Sequence, residues 1–309
     1  MIADVTHSAS STLTPEDIVR EVKHLPSAPK VLPRLKQLLG DGNSAMHEIV
    51  ALIRLDPGIA VRVLQTANSA YFSKGVRCVT VDEAVNRVGY NQVYELVSVA
   101  VASQVLVRPL EVYGLEADEL WKMSVACALA TEELAALSGQ ERDAAYTIGL
   151  LHSVGMVAID EWALRNARVL RLPTTGYPRE ATESERAAFG FTSAQVGGAL
   201  LLDWGFPRSI AEPVRWQYSP RSSASQAKMA ITLHVAKWLR TTVCAPRAAI
   251  PLPEDAHLRA LSLTMNTLAA LTAEVSRRIA AVSSLLDSAA DDTVARKPLF
   301  PANGDDWKI

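Results

Sequence analysis

The 309-residue chain carries six histidines and three cysteines, the side chains best suited to holding a metal or acting as nucleophiles. Such chemistry needs spacing as well as type: HExxH sets two imidazoles one turn apart on a metal, and CxxC forms a thiolate clamp. His24, His47, His234 and His257 fall in no pattern of this kind, and His7 lies in a polar leader. Cys78, Cys127 and Cys244 are far apart and odd in number, which predicts reduced, buried thiols and no disulfide framework. There is no GxSxG elbow, no P-loop and no dinucleotide fingerprint. Gly197-Gly198 fits close helix packing better than phosphate contact. Two features remain. His152-Ser153 ends an apolar helical run, where an imidazole can be a ligand or a hydrogen-bonded core group. Arg165, Arg168 and Arg171 recur every three residues, with Trp162 one turn earlier. On one helix face they would form either a solvated edge or an anion or acidic-partner patch, since guanidinium forks suit phosphate and carboxylate.

The elements that must position these residues read as helices. Thr14-Pro15-Glu16-Asp17 combines a hydroxyl N-cap, proline in the first turn and acids facing the helix dipole. Asp56-Pro57 repeats the device. Thr80 with Glu83 is a capping box whose helix ends at Gly89, and Thr182 with Glu185 reads as another. Between residues 116–137 and 142–151, Ala and Leu recur at helical spacing, and no alternating run bounded by hairpin turns predicts a sheet. The expected fold is an all-α helical bundle in two packed helical units. Residues 14–107 form the first and residues 115–286 the second, with breaks at Arg108-Pro109 and Tyr113-Gly114 between them. Residues 1–13 read as a flexible leader and 287–309 as a disordered tail.

Composition narrows the partners. With 31 basic against 33 acidic residues the net charge is −2, which argues against DNA or an acidic membrane as a general partner. Residues 96–107, the longest mostly apolar stretch, are interrupted by Ser98, Ser103 and Gln104 and fall short of the roughly 20 residues a membrane span needs. The leader has neither a cationic start nor an apolar core, so a cytoplasmic protein is expected.

A set of ordered strings goes further. Leu25-Pro26-Ser27-Ala28-Pro29 precedes a Leu-rich helix. Asp56-Pro57-Gly58 with Arg62-Val63-Leu64 follows, then Ala67-Asn68-Ser69-Ala70-Tyr71-Phe72, Ala84 to Gly89, and Leu150-Leu151-His152-Ser153-Val154-Gly155. In this order, from about His24 to about Leu239, the chain resembles the HDOD family, non-catalytic bacterial signalling relatives of the HD and HD-GYP metal phosphohydrolases. Read from the residues alone, Asn68-Ser69 suits a helix exit and turn, and Arg62 a surface or interface arginine.

In the active relatives, the resemblance implies, His and Asp side chains from several helices hold metal that activates water against a phosphodiester. Carried over position by position, the first family histidine falls on Met123 and the His-Asp pair on His152-Ser153. A later histidine falls on Ser193, a His-His pair on Gln217-Tyr218, and the final acid on Lys237. Only His152 survives, and one imidazole does not hold a catalytic divalent ion. Metal takes water from a pKa of 15.7 to about 7, on the order of 11 kcal/mol. A lone general base supplies only about 3 to 5 kcal/mol. Lys237 in an acid's place repels a cation by about 4 kcal/mol at 4 Å and intermediate dielectric.

The resemblance therefore implies no enzymatic activity, no metal and no cofactor. It implies a signalling-output module or adaptor that contacts a protein partner. No receiver or cyclase domain is recognisable, which points to action in trans. The alternative is a sensor whose emptied pocket holds a nucleotide or cyclic dinucleotide without cleaving it.

Overall fold

The computed structural model describes residues 13–22, 45–69, 72, 75–89, 109–172, 178–245 and 250–295, with 31, 38 and 93 as single positions. Leu25, Pro26 and Pro29, residues 94–108 and residues 296–309 lie outside the described residues. The regular structure among the described residues is helical: α1 Pro15–Glu21, α2 Met46–Arg54, α3 Pro57–Asn68, α4 Val81–Val88, α5 Ala117–Leu137, α6 Arg142–Leu151 and α7 Val154–Arg165. After these come α8 Pro178–Phe189, α9 Ser193–Asp203, α10 Arg208–Arg215, α11 Ala227–Cys244, α12 Asp255–Ala260 and α13 Met265–Ala295. A single isolated bridge pairs Leu110 with Leu115.

Three helix starts follow the sequence reading. Thr14 caps α1 reciprocally with Asp17, whose carboxylate accepts the Thr14 N–H at 2.9 Å. Asp56 is fully buried and accepts the Ile59 N–H at 2.9 Å. Thr80 accepts the Glu83 N–H at 3.1 Å, but the Glu83 carboxylate reaches back to the Val79 N–H at 2.9 Å and not to Thr80, so the cap forms without the reciprocal half of the box; Gly89 ends α4 at φ 86°. The fourth start is corrected: Thr182 and Glu185 sit inside α8, so the Glu185 carboxylate is not spent on a cap.

Helices α2, α3 and α4 pack on one another, while α5 packs on α6, α11 and α13, and α9 packs on α7 and α10. Although first in the chain, α1 lies against α7 and α9, so among the described residues its packing is with the second set. The two sets are joined through polar contacts at their seam. The Trp121 indole donates to the Leu55 carbonyl at 2.9 Å, and the Tyr146 hydroxyl to that of Arg54 at 3.0 Å. Arg54 stacks 4.5 Å above the Tyr146 ring and reaches Glu132 at 3.4 Å. Glu132, nearly buried, also accepts from Arg278 of α13 at 2.9 Å. One carboxylate thus ties α2, α5 and α13 together. Helix α13 runs on past Leu286 to Ala295, beyond the point where the polar tail is expected to begin.

Residues 109–115, read as a break, form a pinned turn. The buried Asp160 accepts the Val112 N–H at 2.7 Å, the Val112 carbonyl accepts the Leu172 N–H at 2.7 Å, and the Tyr113 hydroxyl donates to Glu185 at 2.9 Å. Small residues set the closest helix contact. A Cβ built on Gly155 would stand 1.8 Å from the Ser193 carbonyl oxygen, and one on Gly198 2.4 Å from the Arg215 Cβ. The close-packing expectation for Gly197-Gly198 is met here, because α7 and α9 approach backbone to backbone.

Gly155→Ala should therefore cost about 3 kcal/mol or more, since backbone has to move. Gly139→Ala, with nothing within 4 Å of the added Cβ, should cost only the roughly 1–2 kcal/mol of a left-handed residue. Urea unfolding of the two variants checks the order; equal losses would contradict the packing described.

Candidate functional site

His152 is the C-cap of α6 and Ser153 the N-cap of α7, so both lie where one helix hands over to the next. Ser193 opens α9, Gln217 and Tyr218 follow α10, and Lys237 lies mid-way along α11. His152, Ser153, Ser193, Gln217 and Lys237 are all buried, and Tyr218 is half-buried. Met123 packs against the core from α5 and brings no polar atom.

The hydrogen bonds define the state of His152. Its Nδ1 lies 2.7 Å from the Gly149 carbonyl, which can only accept, so the proton is on Nδ1. The lone pair is then on Nε2, and Arg240 Nη1 donates to it at 2.8 Å. Burial first, then the charges of Arg240 and Lys237, hold this imidazole well below the usual histidine pKa. It is neutral, with both nitrogens engaged.

Lys237 makes its direct contacts with neutral groups. Its ammonium donates to Gln217 Oε1 at 2.8 Å and stands 3.5 Å from the centre of the Tyr218 ring. Burial, then the neighbouring Arg240, push its pKa well below the ordinary lysine value. Gln217 is fully used: Nε2 donates to the carbonyls of His152 and Val214, each at 2.9 Å, and its own carbonyl accepts from His234 Nδ1 at 2.8 Å. Ser153 and Ser124 hydroxyls meet at 3.2 Å. Ser193 donates its N–H to Glu185 at 2.7 Å, and its side chain lies beside both Glu185 and the Tyr218 phenol. Burial, which disfavours the charged form, raises the pKa of both groups and so weakens them as acids.

The sequence reading therefore named residues that converge, but missed Arg240, Glu185, Tyr113 and Ser124. Arg240 was detectable: it follows Lys237 by three residues, which puts both cations on one face of a helix. Glu185 was hidden by its resemblance to a capping partner. The arginine patch is corrected. Helix α7 ends at Arg165 and Ala167 turns at φ 49°, so Arg168 and Arg171 do not continue a helix face. Arg165 is engaged with Glu161 and with the Glu21 carbonyl, each at 2.8 Å.

The remaining singled-out residues hold the first helices. Asn68 brackets the Cys78 backbone, donating at 3.0 Å and accepting at 2.7 Å. Ser69 caps α3 by donating to the Thr66 carbonyl at 2.7 Å. Arg62 Nε is buried without a partner among the described residues.

A divalent metal does not fit these side chains. Among the described residues no three His, Cys, Asp or Glu side chains gather into a metal-holding group, and the imidazole that could ligate already accepts from a guanidinium. The HDOD domain model matches residues 25–220. The chain belongs to the HDOD family. A protein of Treponema pallidum (strain Nichols), named only as uncharacterized, is 25% identical over 208 residues; the match takes in 65% of this chain and 39% of that protein. Among solved structures, the MmoQ response regulator of Methylococcus capsulatus str. Bath aligns with a TM-score of 0.66 and 22% identity, covering 81% of this chain and 98% of that one. A virulence factor of Campylobacter jejuni subsp. jejuni aligns with a TM-score of 0.62 and 17% identity, covering 86% and 100%. At these identities the likeness is one of fold. It sets the helical HDOD architecture described above among experimentally determined relatives.

The neutral histidines of this HDOD pocket make stability depend on pH. His152 is held well below its usual value and His234 is lowered by burial to about 4. Unfolded imidazoles titrate near 6.5, so below that pH the unfolded chain binds more protons. The histidine contribution is therefore complete above about pH 6.5 and is lost as pH falls towards the folded values, by on the order of 1 kcal/mol per pH unit per imidazole. Glu185, raised by burial, works in the opposite sense. Urea midpoints between pH 7 and 5 should fall for the wild type and fall less for His234→Gln; identical slopes would show that His234 is not held neutral.

Proposed function

We propose that this HDOD chain is a non-catalytic signalling module that acts in the bacterial cytoplasm by contacting a protein partner. The observation that carries the reading is the Arg240–His152 hydrogen bond. It occupies the only lone pair left from the family's metal-binding pattern, and Lys237 stands where that pattern has an acid. Membership of the HDOD family supports the signalling role, and the name of one fold relative, a response regulator, is in keeping with it. Among the described residues no helix is long and apolar enough to cross a membrane.

Two measurements test the reading. Purified protein incubated with manganese or iron should not hydrolyse bis(p-nitrophenyl) phosphate above the buffer rate. Exchanging Ser153→Asp and Lys237→Asp together should not create turnover, because Met123, Ser193, Gln217 and Tyr218 still lack ligand atoms of the required kind. A protein cross-linked to the chain in its own cells should bind it saturably when both are purified. Metal-dependent turnover that disappears in His152→Ala would overturn the proposal, as would the failure of every captured protein to bind in isolation.

A further inference from the structure

The helical pocket contains a charge imbalance that its present contacts do not resolve. Lys237 and Arg240 are three residues apart on α11, on successive turns of one face, and the Arg240 charge acts against a second charge on Lys237. Lys237 is buried, and its partners are an amide oxygen and an aromatic ring. Arg240 donates to a neutral imidazole at 2.8 Å and to the Thr241 hydroxyl at 3.2 Å, while its Nε is buried with no partner. Among the described residues neither cation belongs to an ion pair. The carboxylate that acts on Lys237 is Glu185, whose oxygens are already committed to Tyr113 and Ser193. Buried charges are ordinarily paired, because desolvation costs several kcal/mol per ion after relaxation.

The surroundings suit an anion and nothing positive. Arg240 is half-buried while Lys237 is deep, so the cations step inward along α11. The Thr241 hydroxyl is spent, donating to the Lys237 carbonyl at 2.8 Å, while the Ser124–Ser153 pair beside His152 keeps one hydroxyl proton beyond the one it shares. The guanidinium has an unused Nε–H, and the lysine has N–H groups beyond the one given to Gln217, so a small anion finds one fixed positive charge and a second group that holds its proton better once the anion is beside it.

We propose that this pocket binds a small oxyanion of the phosphate type, held between the Arg240 guanidinium and the Lys237 ammonium. The site goes beyond the protein-contact reading and does not depend on it. A dianion neutralises both cations at once; a planar carboxylate supplies half the charge and should bind more weakly. Inorganic phosphate and a phosphomonoester share the chemistry and differ only in whether the fourth oxygen is substituted.

Chemical unfolding of the full chain at constant ionic strength tests the site, with inorganic phosphate, glycerol phosphate and acetate titrated through the millimolar range against chloride. Inorganic phosphate should raise the midpoint saturably, and acetate should do so less. A response to glycerol phosphate as large as that to phosphate identifies a monoester head group; a response to phosphate alone identifies the free ion. Lys237→Met should unfold at higher denaturant than wild type without anion, since a buried lysine with one amide partner is replaced by an apolar side chain of similar size. It should bind phosphate at least about tenfold more weakly, as should Arg240→Met. Lys237→Arg, which keeps the charge, should retain the response. The His152 imidazole nitrogens, read by NMR, should shift as phosphate draws Arg240 from Nε2. Equal phosphate responses in wild type and both Met variants, or no saturable response with unmoved His152 signals, would overturn the proposal.

Discussion

Arg240 donates to Nε2 of His152 across the gap between α11 and the junction of α6 with α7, and the pocket is arranged around that bond. The Gly149 carbonyl fixes the tautomer, the tautomer exposes the lone pair, and the guanidinium occupies it. Everything else in the pocket follows as accommodation. Gln217 holds the His152 carbonyl with its amide nitrogen and Lys237 with its amide oxygen, so one neutral side chain orders both the imidazole and the second cation. A catalytic centre that keeps its imidazoles free for metal would have no use for such a plug. Here the helices retain the architecture in which such chemistry is done, and the side chains line it with polar groups, among which Arg240 and Lys237 keep donors unspent.

The pocket is also physically continuous with the turn that joins the two sets of helices. From Lys237 the contacts pass through the Tyr218 ring to Ser193, then to Glu185 and the Tyr113 hydroxyl. Tyr113 belongs to the turn at residues 109–115, whose backbone is held from the other side by Asp160. Buried polar chains of this kind are costly to leave half satisfied, so their members are constrained together. The α7–α9 approach reinforces the constraint. Gly155 lets Ser193 sit against α7, and Ser193 is the residue that passes the chain from the pocket to Glu185.

Much of this was legible in the sequence, for physical reasons that differ between levels. Helix starts at Thr14, Asp56 and Thr80 are local: side chain and backbone donor lie within three residues, so type and spacing suffice. Apolar periodicity gave the all-α class, and the ordered strings gave the family. The six buried or half-buried pocket positions from His152 to Lys237 came from that resemblance and from no local pattern. What escaped was tertiary. Glu185 three residues after Thr182 has the form of a capping box, yet α8 begins at Pro178 and its carboxylate serves Ser193 and Tyr113 instead. The three-residue spacing of Arg165, Arg168 and Arg171 implies a shared face only if the helix continues, and Ala167 ends it with a left-handed turn. The placement of α1 against α7 and α9 has no local signal at all.

The family pattern closes at residue 220, but the physical unit does not. Helix α11 lies wholly beyond that point, packs on α5 and α6, and supplies both cations of the pocket. Beyond it α13 adds Arg278 to the Glu132 carboxylate that also holds Arg54 of α2. A fusion or transplant cut at the recognised boundary would open the interior of α5 to water and leave Glu132 with one of its two arginines. For this chain the portable module, the piece that recombination or engineering can move intact, is set by where its buried charges are answered and extends at least through Arg278.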